Sequence, residues 1–74
     1  MTEVRAEITA NVWQVHVGVG DRVAVDQELV ILESMKMEIP VEAPAAGVVV
    51  EVRVVPEQVV HEGEVLVVIR PDPT

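Results

Sequence analysis

Two stretches of the chain alternate between apolar and polar residues with a period of two, which is typical of a β-strand with one solvated face. The apolar positions are Trp13, Val15 and Val17 in the first stretch, and Val50, Val52 and Val54 in the second. Each stretch predicts a strand. The alternation also places Trp13 on the inward face of the first strand, in the core.

Two continuous apolar runs, residues 29–32 and 65–69, indicate strands that are buried more completely. Glycine, proline and acidic residues supply turn signals between the predicted strands. No stretch sustains a 3.6-residue period and five prolines interrupt the chain, so we expect no regular helix. The pattern therefore predicts an all-β fold of roughly eight short strands, in two small sheets that share one core.

A weak internal repeat appears when the chain is laid on itself with a shift of 37 residues. The matched residues are Val12 with Val49, Val15 with Val52, Val17 with Val54, Val23 with Val60, Leu29 with Leu66, and Val30 with Val67. Both copies share the order of alternating strand, polar turn, short apolar step, polar turn and apolar strand. The repeat predicts two structurally equivalent halves.

Between the two copies the chain must reverse, because the run that ends at Leu32 is followed by a new alternation from Met37. We place the tip of this hairpin at Met35 and Lys36. Asn and Gly, which two-residue hairpin turns favour, are absent there, so the tip indicates selection for something other than turn propensity. Lys36 is also the only lysine, and any chemistry on a side-chain amine must occur at this tip.

The composition narrows the possible functions. The 74 residues predict a single domain, residues 1–74 with an ordered core at about 4–70, too small to enclose a catalytic pocket readily. A net charge of −8 argues against nucleic acid and anionic membranes as partners, because both are bound through Lys and Arg. The absence of cysteine excludes disulfides and thiolate metal sites. With no signal-peptide pattern and no apolar run long enough to span a bilayer, the sequence favours a cytoplasmic protein.

No combination of residues points to catalysis or metal binding. His16 and His61 lack companions at metal-ligand spacing, so both are expected at the surface and no metal site is predicted. The thirteen acidic residues are expected mostly on solvated faces, where a minority could help a basic partner to dock.

The segment from Glu33 to Glu38, Glu-Ser-Met-Lys-Met-Glu, resembles the biotinylation motif of biotin carboxyl carrier domains, whose hallmark is Met-Lys-Met on a tight β-turn. Residues 17–23 resemble the hairpin that precedes this motif in the family, and residues 42–47 and 63–66 resemble the pattern that follows it. The resemblance covers nearly the whole chain and is strongest to free-standing biotin/lipoyl attachment proteins.

This resemblance implies a flattened barrel of two four-stranded antiparallel sheets with pseudo-twofold symmetry, the barrel-sandwich hybrid of biotinyl/lipoyl domains. It implies that a biotin protein ligase joins biotin to Lys36 through an amide. In the motif, Lys36 is flanked by Met35 and Met37. The resemblance implies, more weakly, that recognition by the ligase or another partner involves Glu33, Ser34 and Glu38. The protein would be a monomeric carrier and not an enzyme, taking a carboxyl group from a biotin carboxylase to a carboxyltransferase.

The chain departs from the family pattern at a few positions. Ala10 stands where its repeat partner is Gly47, and Glu57 stands where the family often has glycine, so local turn geometry is in question at both. Ser34 replaces the alanine most common before Met-Lys-Met. The long insertion before Leu29 that forms a protruding thumb in some bacterial carriers is missing.

Four other interpretations stay open. A lysine at a hairpin tip is ordinarily just a solvated residue. A lipoyl carrier has the same fold with acyl or aminomethyl transfer as its chemistry, although its tip typically reads Asp-Lys-Ala, and attachment of both cofactors is a further alternative. An unmodified β-sandwich interaction module would bind its partners equally well after Lys36→Arg.

Overall fold

The computed structural model describes residues 1–73 and contains eight strands in that range. In chain order they are β1 (Thr2–Arg5), β2 (Ala10–Val15), β3 (Arg22–Val23), β4 (Glu28–Ser34), β5 (Met37–Glu42), β6 (Gly47–Val52), β7 (Val59–Val60) and β8 (Val65–Pro71). Thr74, the last residue of the predicted domain, lies outside the described residues. The predicted all-β class is confirmed, and no helix that could cross a membrane occurs in residues 1–73.

The strands form two four-stranded antiparallel sheets. The first sheet has the order β1-β8-β6-β3 and the second has the order β5-β4-β2-β7. The longest strands, β8 and β4, each lie between two partners, while the two-residue strands β3 and β7 lie at sheet edges. Long, continuously apolar strands therefore occupy the interior of each sheet, as their sequences predict.

The two sheets are equivalent under the repeat. A shift of 37 residues places β2 on β6, β3 on β7 and β4 on β8, and the two sheet orders then coincide with β5 and β1 as counterparts. The β-bulges agree as well, since the register shifts between Val12 and Gln14 in one half and between Val49 and Glu51 in the other. The predicted pseudo-twofold relation is confirmed.

The turns repeat in the same way. Gly20 and its counterpart Glu57 both have left-handed backbones, with φ of 95° and 74°. The turn that contains each is closed by a side chain: the Gly18 N–H donates to Asp21 Oδ2 at 2.8 Å, and at the equivalent place the Val55 N–H donates to the Gln58 side-chain oxygen at 3.2 Å. Different residues thus satisfy the same backbone geometry in the two halves.

Valine, leucine and isoleucine side chains fill the space between the sheets. The largest fully buried side chains are Val12, Val23, Leu29, Val30, Leu32, Val49, Val60, Leu66, Val67 and Ile69. Under the 37-residue shift these ten residues fall into five pairs, so both halves contribute equally to one core. No polar side chain is buried among the described residues. The domain is elongated, 39 × 18 × 18 Å.

The prediction for Trp13 is wrong. Val12 is the buried residue at this point of β2, with 1% of its surface exposed, whereas Trp13 is 42% exposed. The β-bulge between Val12 and Gln14 adds a residue to the strand, and such an insertion shifts the alternation of inward and outward side chains. The period-2 pattern therefore holds after the bulge but not at Trp13 itself.

Candidate functional site: the β4–β5 hairpin tip

The central hairpin consists of β4 and β5 joined by a two-residue turn. The strands pair from Glu28 opposite Glu42 to Ser34 opposite Met37, which leaves Met35 and Lys36 as the turn. The predicted position of the tip is confirmed. The turn extends from a well-anchored strand, because Leu32 and Val30 of β4 are fully buried.

Both turn residues have left-handed backbones, with φ of 52° at Met35 and 66° at Lys36. Positive φ at both central positions is the requirement of a type I′ hairpin turn, which matches the twist of the flanking strands and is usually met by Asn-Gly. For residues with a Cβ the left-handed region costs about 1–2 kcal/mol each. Paired strands can hold such strain, which is most often found at functional sites.

The side chains of the tip project into solvent. Met35 is 92% exposed, Met37 is 65% exposed, and Lys36 is exposed between them. No carboxylate in residues 1–73 lies within 4.0 Å of the Lys36 amine, since the ion pairs in this range are all made by arginines. The exposed methionines are costly in water, and a partner that covers them would gain from their flexible, polarisable side chains.

The other motif residues lie at the base of the tip. Glu33 of β4 stands directly opposite Glu38 of β5, so two exposed carboxylates flank the turn. Ser34 is half-buried and pairs with Met37. The structure thus brings all six motif residues, Glu33 to Glu38, together at one end of the second sheet. Like charges in direct cross-strand register disfavour pairing, so this carboxylate pair also weakens the hairpin.

The two histidines are not part of the hairpin tip. His16 and His61 are exposed, which confirms the surface prediction, and His16 forms a 2.7 Å hydrogen bond with Gln14. Among the described residues no group of three or more His, Asp or Glu side chains is placed to hold a metal ion.

Two exposed residues near the motif were not predicted as site residues. Trp13 and Glu57, with Asn11 and Glu33, line a shallow concavity of about 340 Å³ on the second sheet. Sequence reasoning placed Trp13 in the core because a bulge leaves no mark on a valine-rich strand. Glu57 did carry a signal, since its repeat partner is Gly20, but the sequence alone related it only to turn geometry.

A groove of about 570 Å³ lies along the open edge between β1 and β5. Its walls combine apolar residues such as Ile8 and Ile39 with exposed carboxylates such as Glu7 and Glu42. No nucleophile–base pair lines it, so its chemistry does not suggest a catalytic centre.

Comparison with known proteins shows the family of the chain. The biotin/lipoyl family, described as biotin-requiring enzymes, matches residues 2–69. The chain belongs to this family. It is 48% identical over 63 residues to the Biotin/lipoyl attachment protein of Bacillus subtilis, covering 85% of this chain and 86% of that one. It is 49% identical over 67 residues to the Biotinylated protein TB7.3 homolog of Mycobacterium leprae, covering 90% and 94% of the two chains.

The fold has a close counterpart among solved structures. A single-chain, multi-domain long-chain acyl-CoA carboxylase contains a region that superposes with a TM-score of 0.91 and 35% identity. The match covers 96% of this chain and 7% of the carboxylase chain. The predicted barrel-sandwich fold is confirmed, and the protein is a biotin carrier domain.

Proposed function

We propose that biotin is joined to Lys36 through an amide and that the domain presents it to the active sites of a carboxylase. The observation that carries this proposal is the tip itself. The only lysine of the chain stands on a two-residue turn, left-handed at both positions, between exposed Met35 and Met37. Family membership and the biotinylated mycobacterial relative support biotin as the group.

The attachment step would use Lys36 as the nucleophile. Its amine would attack the activated acyl carbon of biotin presented by a biotin protein ligase. The C–N amide bond would form as the activating group leaves with the electron pair of its bond to that carbon, and the nitrogen would lose a proton to solvent. Since the amide is neutral, loss of the one positive charge of Lys36 takes the formal net charge from −8 to −9.

The scaffold would act by presentation. When attached, biotin supplies the acceptor for a carboxyl group that a biotin carboxylase delivers and a carboxyltransferase removes. The β4–β5 hairpin would hold the anchor of this arm at the surface, and tethering would raise the effective concentration of the cofactor at each active site without tight docking. Glu33, Ser34 and Glu38 would contribute to recognition by the ligase or another partner. We place this single 74-residue domain in the cytoplasm as a monomeric, non-catalytic component of a carboxylase.

Intact-mass spectrometry tests the attachment. The protein is co-expressed with a biotin protein ligase and biotin, beside a Lys36→Arg variant and a parallel culture that supplies lipoate and a lipoyl ligase. We expect a gain of one biotinyl group in the wild type and none in the variant, whose fold is checked by circular dichroism. Folded wild-type protein that gains no mass with an active ligase would contradict the proposal and leave an unmodified interaction module.

A lipoyl carrier is the second candidate, because the Bacillus subtilis relative is named for attachment of either group. The methionine on each side of Lys36 favours biotin by the motif resemblance. A lipoyl gain alone in the same experiment would move the protein to acyl or aminomethyl transfer, and gains in both cultures would establish dual attachment.

A further inference from the structure

An exposed tryptophan lies on the outer face of the second sheet, beside the hairpin. Trp13 lines the concavity of about 340 Å³ together with Asn11, Glu33 and Glu57. We name Trp13, Glu33 and Glu57 the Trp13 surface. The backbone explains why Glu57 is there: its N–H donates to the Val12 carbonyl at 2.7 Å, which fixes the residue beside the bulge that carries Trp13.

The internal repeat provides a control for what the fold itself requires at these positions. The counterpart of Trp13 is Val50 at the same bulge of the first sheet, and the counterpart of Glu57 is Gly20 in the same left-handed turn. The counterpart of Glu33 is an arginine, Arg70. The fold is therefore built equally well from valine, glycine and arginine. Only the second sheet, which carries the lysine hairpin, has a tryptophan and two carboxylates at these positions.

Two of these residues are unfavourable for the isolated domain. Trp13 leaves a large aromatic surface in water, and Glu57 adopts a φ of 74° where a glycine would be unstrained. Strained backbone and exposed aromatic residues are both enriched at binding sites. Neither residue is needed by the twofold scaffold. Asp26 has the same strain where its repeat counterpart is Gly63, so it is the exposed indole together with the two carboxylates beside it that points to an interaction.

The chemistry of the surface selects a cationic partner. An indole ring attracts Arg or Lys through its π face, and carboxylates on either side can form charge-assisted hydrogen bonds to the same cation. A second copy of this chain is a poor occupant, because each copy has a net charge of −8. The occupant is therefore a protein with Arg or Lys on the contacting face.

The position of the surface identifies which partner acts there. Glu33 is three residues before Lys36 on β4 and is the cross-strand neighbour of both Glu38 and Asn11, so the Trp13 surface is continuous with the base of the tip. The enzyme that modifies the lysine amine must bring its active centre to the tip itself, and the Trp13 surface adjoins the base of that tip. A carboxylase needs to reach only the far end of the extended arm.

We propose that the Trp13 surface docks a basic face of the biotin protein ligase and thereby orients Lys36 for acylation, an inference that rests on the proposed function. The contact sets ligase affinity for the domain. It makes no contribution to the acyl transfer itself, which involves only the Lys36 amine and the activated acyl group.

Steady-state kinetics with the purified biotin protein ligase of the source organism test this proposal. The variants are Trp13→Val, which installs the residue of the other half, and Glu57→Gln. We expect KM to rise about tenfold for Trp13→Val and about threefold or more for Glu57→Gln, with kcat unchanged, since each 1.4 kcal/mol of lost binding is tenfold. The KM of Glu57→Gln should depend less on salt concentration than the KM of the wild type, because one charge contact is removed.

The chain offers matched controls outside this surface. Asp26 is an acidic residue in another left-handed turn, with φ of 67°, and Val19 is an exposed apolar residue. Asp26→Asn and Val19→Ala should stay within twofold of the wild-type KM. Glu57→Gly adds a decisive variant: it should keep or raise the melting temperature while raising KM, whereas a merely structural residue would lose stability when replaced.

Unchanged KM for both Trp13→Val and Glu57→Gln would overturn the proposal, as would equal losses in the Asp26 and Val19 controls. Normal biotinylation combined with slower carboxylation of the biotinylated variants would also overturn it, by assigning the surface to the carboxylase. Wild-type protein that is not biotinylated at all would instead contradict the proposed function. The two failures are therefore distinguishable.

Discussion

At Gly47 the backbone of β6 passes unusually close to that of β8. A Cβ placed on this residue would lie 2.2 Å from the carbonyl oxygen of Arg70 and 2.9 Å from the Cα of Pro71. Backbone atoms in a paired strand cannot move aside as a side chain can. The counterpart of Gly47 is Ala10, so the second sheet accommodates a methyl group at the equivalent position and the first sheet does not.

Gly47→Ala should therefore destabilise the domain by about 3 kcal/mol, the upper range for overpacking a closely packed site. Urea denaturation followed by circular dichroism measures the change. Gly18→Ala is the control, because its Cβ would meet nothing closer than Asp21 Oδ2 at 3.9 Å, and it should change stability by no more than about 0.5 kcal/mol. Equal effects of the two substitutions would contradict the close approach.

The left-handed residues of the tip give a second prediction at this scale. Met35→Asn should stabilise the domain by about 1 kcal/mol, since Asn tolerates positive φ far better than Met. In a domain of this size that corresponds to roughly 4–8 °C in melting temperature. Met37→Asn is the control, because Met37 lies in β5 and is not among the positive-φ residues, so it should not be stabilised. A gain of equal size in both variants would show that turn strain is not the cause.

At the scale of the element, the β4–β5 hairpin combines an anchored base with an unfavourable outer end. Leu32 and Val30 fix β4 in the core, while Glu33 opposes Glu38 and Glu28 opposes Glu42 across the strand pair. Two pairs of like charges reduce the stability of the hairpin and give its solvated face a negative potential. A basic partner bound at this face would relieve the repulsion, in agreement with docking beside the lysine.

Removing one of these charges isolates the repulsion. Glu38→Gln should raise stability by about 0.5 kcal/mol at low salt, and the gain should disappear near 1 M salt, where charge interactions are screened within about 3 Å. Thermal melts at the two salt concentrations provide the measurement. Glu62→Gln, in an exposed turn, removes the same net charge without a cross-strand partner and should show a smaller gain. A salt-independent gain for Glu38→Gln would refute repulsion as its origin.

At the scale of the whole molecule, the domain consists of two structurally equivalent halves. The five pairs of equivalent buried residues, the paired bulges and the paired turns show that each half meets the same structural requirements. Under the 37-residue shift the counterpart of Lys36 is Pro73, so the chain ends occupy in the first sheet the place that the tip occupies in the second.

Equivalence of the halves can be measured at the turns. Asp21→Ala and Gln58→Ala each remove a side-chain acceptor from a backbone N–H, and each should cost about 1 kcal/mol. The loss should be larger for Asp21, whose bond is shorter and charge-assisted. Asp21→Asn keeps an acceptor and should recover most of the stability in urea titrations. A loss at one turn with none at the other would mean that the two turns do not contribute equivalently.

Much of the fold could be predicted because local patterns and the repeat agree. The continuous apolar runs predicted β4 and β8, and the absence of helical periodicity indicated an architecture made of sheets. The reversal between Leu32 and Met37 confined the turn to residues 33–36, and the tip predicted at Met35 and Lys36 agrees with the observed strand pairing. The motif resemblance then supplied the chemistry of Lys36, which spacing alone would not have identified.

The sequence by itself determined the all-β class, the two equivalent halves and the lysine at the hairpin tip, because each depends on short-range periodicity or on residue identity. Only the tertiary structure decided which side of β2 faces the core and which residues surround the motif. A β-bulge reverses side-chain direction without changing composition, so Trp13 moved from the predicted core to the surface. Likewise, Glu57 lies 21 positions from Lys36 in the chain, and only the backbone hydrogen bonds of the folded sheet bring Glu57 to the sheet that carries Lys36.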